Sequence, residues 1–197
     1  MSEKKRVAIL ISGRGSNMTA LMQAARSADY PAKIVGVFSN HAAAPGLDVA
    51  RGEGIPTASL AQSRFDSRLA FDNALTEILE GWNVDIVCMA GFMRILSPEF
   101  TNHWLGRAIN IHPSLLPAYK GLDTHARAIA DGVVEAGCTV HFVTPGLDEG
   151  PALLQARVPV RPGDTAEALA ARVLVEEHKL YPQALRLLAS GAVAYPG

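Results

Sequence analysis

Apolar residues occur along this chain in two rhythms, short unbroken runs and longer stretches at helical spacing, and the two rhythms alternate. Residues 6–12 read as a strand, and a helical pattern follows over about 17–27. Residues 33–39 read as a second strand, and 44–52 as a short helix closed by Gly52 and Gly54, with a third short strand after Pro56. Asp66 is placed to cap a helix in which Leu69, Phe71, Leu75, Ile78 and Leu79 recur until Gly81. Residues 84–90, apolar but for Asp85, carry the signature of a strand buried on both faces of a parallel sheet. Residues 107–112 give another short strand. Residues 138–144 and 153–160 form a pair joined by the turn-rich 145–151, a spacing that suits antiparallel pairing. From Asp164 the pattern turns helical, with Asp164 and Glu167 as a capping-box-like start, Leu169, Val173, Leu180, Leu185 and Leu188 on one face, and Pro182 expected to bend it. Strands alternating with helices predict an α/β fold. The expected architecture is a single three-layer domain around a mostly parallel twisted sheet with right-handed crossovers and an antiparallel strand pair in its C-terminal half.

Composition narrows the partner. The 197 residues, 49% hydrophobic and 19% charged, suit one domain that needs neither disulfides nor a structural metal. Eighteen Lys plus Arg against nineteen Asp plus Glu leave a net charge of −1, so the basic footprint of a nucleic-acid binder is missing and a small-molecule partner is the default. No apolar run approaches the ~20 residues of a membrane helix, and residues 7–11 are too short for a signal-peptide core. Cys88 and Cys138 lie in or beside apolar runs, as buried thiols of a reducing cytoplasm do, so a cytoplasmic location is expected.

Two segments carry chemistry. The first strand runs straight into SGRGSN, residues 12–17, and a helix follows, so backbone N–H groups at a helix N-terminus could hold an anion. Met18 takes the third glycine position of a dinucleotide loop and Ser39-Asn40 stand where a ribose-binding acid belongs, which disfavours NAD; no Lys-Ser or Lys-Thr follows the glycines, which disfavours a nucleoside triphosphate. A monophosphate remains, against a plain tight turn at Gly13 and Gly15. The second segment, NIHPSLLP at 110–117, sets Asn110 and His112 two apart on one face of a strand end. A carboxamide donor beside an imidazole suits carbonyl chemistry, the amide for an oxyanion and the imidazole for a proton, whereas His112 alone would read as a core histidine. Asp148, in the loop LDEGP, could favour a protonated imidazole, or be only a turn residue. None of the six histidines has metal-ligand spacing, and no Ser or Cys sits in a nucleophile elbow, so no metal is expected.

Taken in order, SGRGSN, AGFMRILSPEF, NIHPSLLP and TVHFVTPGLDEGP resemble the phosphoribosylglycinamide formyltransferases, a family of folate-dependent formyltransferases, over nearly the whole chain. The resemblance implies a Rossmann-like formyltransferase fold spanning 1–197, with about 1–105 binding phosphate and substrate and about 106–197 carrying the catalytic residues and the folate loop. It implies transfer of the formyl group of 10-formyltetrahydrofolate to the amino group of glycinamide ribonucleotide, a step of de novo purine synthesis. By position, Asn110, His112 and Asp148 take the catalytic roles. Gly15, Ser16 and Asn17 hold the substrate phosphate, and Glu177 meets the ribose hydroxyls. Arg68, Met93, Arg94, Ile95 and Leu96 form the folate side, together with Asn110 and the loop Thr144, Pro145, Gly146, Leu147 and Asp148. The partners implied are these two small molecules, with no nucleic acid and no membrane; a homodimer is compatible with them.

The sequence departs from the usual family pattern at Asp123, where histidine is common, and at Pro145, where an acidic residue is common and where proline should stiffen the folate loop. Three other functions share parts of this pattern. A 10-formyltetrahydrofolate hydrolase is expected to add an N-terminal regulatory domain, and a methionyl-tRNA formyltransferase a C-terminal RNA-binding domain with basic surface. A non-catalytic nucleotide-binding module would keep only the phosphate loop.

Overall fold

The computed structural model describes residues 3–196. Its sheet has seven strands in the order β3-β2-β1-β4-β5-β6-β7, where β1 is Lys5–Ile11, β2 Ala32–Ser39, β3 Thr57–Ser59, β4 Ile86–Met89, β5 Ala108–His112, β6 Glu135–Phe142 and β7 Ala152–Pro159. The first five strands pair in parallel, and β6 and β7 add on antiparallel to β5 and to each other. The predicted antiparallel pair is therefore present, with β6 starting three residues earlier than the apolar run does.

Residues 7–11 of β1 are wholly buried because both faces of the sheet are covered. Val7, Ile9 and Ile11 pack into one core with Met18 and Leu21 of helix α1 (Ser16–Ala25), Leu47 of α2 (Pro45–Gly52) and Val173 and Leu185 of α6 (Ala166–Ala189). Ala8 and Leu10 point the other way, into a second core with Phe71 and Leu75 of α3 (Arg68–Gly81) and Phe100 of α4 (Pro98–His103). The period of two along one strand thus separates three layers, and each large aliphatic side chain so buried contributes roughly 1.5–3 kcal/mol. Strand β4 repeats the division, with Cys88 in the first core and Val87 in the second. The Tyr181 hydroxyl of α6 donates to the carbonyls of Met89 (2.9 Å) and Ile109 (3.0 Å), tying that helix to adjacent strands. Both cysteines are free and buried, and burial pushes each thiol up to about 12.

Helix starts differ from expectation by one residue. Ser67, not Asp66, caps α3 by accepting from Ala70 N, and Thr165, not Asp164, caps α6 by accepting from Ala168 N. Asp164 instead accepts from both terminal guanidinium nitrogens of Arg172 and from Arg161 N, which hold its carboxyl well below the usual range. Helix α6 runs through Pro182. The hydrophobic pattern singles out neither α4, started by Ser97 and Pro98, nor α5 (Thr124–Ala130), each too short to show a period.

Candidate active site

The strand order reverses at β1, whose neighbours are β2 and β4, and the crevice beyond the C-terminal ends of such strands is where open α/β sheets place ligands. Most of the candidate residues lie in the loops after β1 and β4, in β5 itself and in the β6–β7 connection, while Arg68 opens α3 and Glu177 belongs to α6.

After β1, Gly15 adopts φ 72 and ψ 41 at the N-cap of α1, a left-handed conformation that a side chain would strain. The first intrahelical bond is Thr19 N to Gly15 O at 2.9 Å, so the amides of Ser16, Asn17 and Met18 precede the ladder and are open to an acceptor, and no acidic residue stands in the first turn. The Asn17 side chain turns inward. Its Nδ2 donates to Glu177 Oε2 at 2.6 Å, joining α1 to α6 across 160 residues. Burial raises the Glu177 carboxyl, opposed by this bond and by the charge of His112. Asn17 therefore offers an anion its backbone, while its carboxamide orients Glu177.

On β5, Asn110 and His112 do share a face. His112 is buried, with Nε2–H donating to Tyr119 O at 2.9 Å and Nδ1 3.4 Å from Asp148 Oδ2. Both ring nitrogens thus face acceptors, an environment that the doubly protonated imidazolium satisfies. Asp148 sits at φ 52, a left-handed conformation that aspartate tolerates better than most side chains, and the same Oδ2 accepts from Gly121 N at 2.9 Å. Two residues on, a Cβ at Gly150 would lie 1.8 Å from Phe142 O, so only glycine permits the tight β6–β7 connection that delivers Asp148.

His141 completes this cluster. It lies opposite Asn110 in the β5–β6 register. Its Nδ1–H donates to Phe142 O at 2.9 Å, which leaves Nε2 as the acceptor of Asn110 Nδ2–H at 3.2 Å. Burial lowers its pKa below 6.5 and outweighs Asp148, whose Oδ1 is 3.7 Å away, so the ring is neutral and that contact is not an ion pair. One amide hydrogen of Asn110 is thereby held and the other is free. The sequence signals for His141 are a polar residue in an apolar strand and its place in the segment TVHFVTPGLDEGP. His125 of α5 is also pushed down by burial and by His112, and its Nε2 is buried without a partner.

The folate-side candidates divide. A cleft of about 470 Å³ brings Arg68, Met93, Arg94 and Ile95 together with Phe65 and Ser67, and Met93 and Ile95 expose 69% and 58% of their surface. Leu96 is core, and the Arg94 side chain turns inward. Residues 144–148 do not line that cleft; Leu147 is exposed beside Gly121 instead. A larger cavity of about 580 Å³ runs between α1 and α6 from Ser16 to Pro182, and neither cavity is lined by Asn110, His112 or Asp148. Asp123, one of the two departures, is exposed and starts α5 at φ 56. No helix among the described residues is long and apolar enough to cross a membrane.

Residues 5–185 match the formyl transferase family. The chain is 48% identical over 185 residues to phosphoribosylglycinamide formyltransferase of Escherichia coli (strain K12), covering 94% of this chain and 87% of that protein. It is 52% identical over 191 residues to the trifunctional purine biosynthetic protein adenosine-3 of Bos taurus, covering 97% of this chain but spanning only 19% of that relative's length. The crystal structure of glycinamide ribonucleotide transformylase 1 from Symbiobacterium toebii superposes with a TM-score of 0.94 at 46% identity, covering 97% of this chain and 90% of that one.

Proposed function

Because the chain belongs to the formyl transferase family, we propose that it transfers the formyl group of 10-formyltetrahydrofolate to the amino group of phosphoribosylglycinamide, giving formylglycinamide ribonucleotide and tetrahydrofolate in purine biosynthesis. The observation that carries this reading is the placement of His112 between Asp148 and the Tyr119 carbonyl, on the same strand face as an Asn110 whose amide is oriented by His141. The uncharged glycinamide amine attacks the formyl carbon, and the C=O electron pair moves to oxygen. The free amide hydrogen of Asn110 and an N–H of the His112 imidazolium meet that oxyanion. Since both His112 ring nitrogens face acceptors in the resting protein, the ring exchanges its Tyr119 contact for the oxyanion as charge develops. Collapse breaks the bond from carbon to the folate nitrogen N10, which takes a proton as the new amide loses one. Asp148 holds the imidazolium and helps order a water that relays the proton.

Recognition follows from the flanking loops. The amides of Gly15, Ser16 and Asn17 take the phosphate and Glu177 the ribose hydroxyls, while Arg68, Met93–Leu96 and Thr144–Asp148 take the folate, Arg94 and Leu96 through their main chains. The parts before and after about residue 105 thus serve one site, since Glu177 is bonded to Asn17. The test is incubation of the chain with 10-formyltetrahydrofolate, with and without glycinamide ribonucleotide. Equal amounts of tetrahydrofolate and formylated nucleotide are expected; formate released without the nucleotide would contradict transfer in favour of hydrolysis.

A further inference from the structure

We propose that Asp72 is a positioning residue for the folate side, setting which side chains of the segment after β4 face the cleft. This rests on the reading that the cleft takes the folate. Residues 92–97 have no regular hydrogen-bonded structure, yet over 92–96 the side chains alternate: Met93 and Ile95 outward, Phe92, Arg94 and Leu96 inward. The outward pair presents apolar surface to a flat heteroaromatic ring. A slip of one residue would turn a guanidinium and a core leucine into the cleft and carry Met93 and Ile95 away from it.

Asp72 fixes that choice from within α3. It is 1% exposed, and its Oδ2 accepts from Ser97 N at 2.6 Å, which ties the far end of the segment. Its Oδ1 faces Arg94 Nε at 3.6 Å, a charge pairing beyond hydrogen-bond reach that leaves both atoms without a hydrogen bond. The guanidinium lies over the Phe71 ring at 3.9 Å, and the Arg94 side chain is 6% exposed although the residue as a whole is half-buried, so what it shows the cleft is main chain. The near end is tied separately, Met93 N donating to Ser12 Oγ at 2.7 Å. A buried ion pair with imperfect hydrogen bonding is poor stabilisation compared with packed apolar residues, whereas fixing register is its best-attested use. Here the register fixed is that of a binding wall.

Asp72→Asn keeps an acceptor for Ser97 N but removes the charge that holds Arg94. The double variant Asp72→Asn/Arg94→Met removes both charges while keeping that acceptor, and guards against a variant that merely fails to fold. Thermal melting, KM for each substrate, calorimetric affinity for tetrahydrofolate and hydrogen exchange of residues 93–97 are measured in all three proteins. Asp72→Asn is expected to raise folate KM by about tenfold while KM for glycinamide ribonucleotide stays put. The double variant is expected to melt no lower than wild type, yet bind tetrahydrofolate as weakly as Asp72→Asn and exchange faster at 93–97. Recovery of wild-type folate affinity in the double variant, or a parallel rise in KM for the nucleotide, would overturn the positioning role. Wild type that fails to bind tetrahydrofolate would instead overturn the folate reading, and unchanged exchange at 93–97 would overturn the role of Asp72 whatever the cleft binds.

Discussion

The loop after β1 and the cluster at the end of β5 answer different chemical needs with different materials. The loop is built of main chain: Gly15 at φ 72 and the open amides of the first turn of α1. The cluster is built of side chains, Asn110, His112, His141 and Asp148, each held by a specific partner. A phosphate carries its charge whatever happens to the substrate, so fixed peptide dipoles suffice to hold it. A formyl carbon needs charge met as it develops and a proton moved, which requires groups that donate, accept and change protonation state. Anchoring and chemistry should therefore separate under mutation.

The largest effect is expected at the cluster. His112→Ala or Asn110→Ala should each lower kcat by about 10²–10³ or more with little change in melting temperature, as loss of an oxyanion donor does. Near-wild-type turnover in either would move the chemistry elsewhere. At the loop, Gly15→Val forces a β-branched residue into a left-handed conformation at about 1–2 kcal/mol, so KM for the nucleotide should rise on the order of tenfold at unchanged kcat. A riboside without phosphate should bind wild type weakly and be indifferent to this substitution; equal affinity for riboside and nucleotide would reduce the loop to a turn.

A smaller effect sharpens the inner workings of the cluster. His141→Leu removes the acceptor that orients Asn110 and should lower kcat about tenfold, while His141→Gln, which can still accept, should recover part of it. The smallest effect is in stability against pH. His125, His141 and His178 are all pushed below 6.5 by burial, so the folded protein takes up protons at these rings less readily than the unfolded chain does. Their neutral burial costs nothing well above pH 6.5, and stability falls as pH drops through that value. Melting temperature followed from pH 8 to pH 5 should decline for wild type and less steeply for His141→Gln.

How much of this was legible beforehand follows the same division. The strands declared themselves because a strand covered on both faces needs an unbroken apolar run, as at 86–90. Asn110 and His112 were legible as a pair because a strand's period of two puts them on one face. His141 was not, since its role depends on the antiparallel register that places it opposite Asn110. Nor was the Asn17–Glu177 bond, which spans 160 residues. Arg94 read as a residue of the binding surface, and only its burial against Asp72 and Phe71 shows that its side chain faces away. At residues 66 and 67 two good capping side chains stand side by side, and backbone geometry rather than propensity decides for Ser67.

The separation of anchoring from chemistry is tested most directly by calorimetric titration of glycinamide ribonucleotide into His112→Ala. The account predicts wild-type affinity in a protein that has lost turnover, because the phosphate is held by main chain at residues 15–17. Affinity lost together with turnover would contradict it and make the β5 cluster the anchor as well as the site of chemistry.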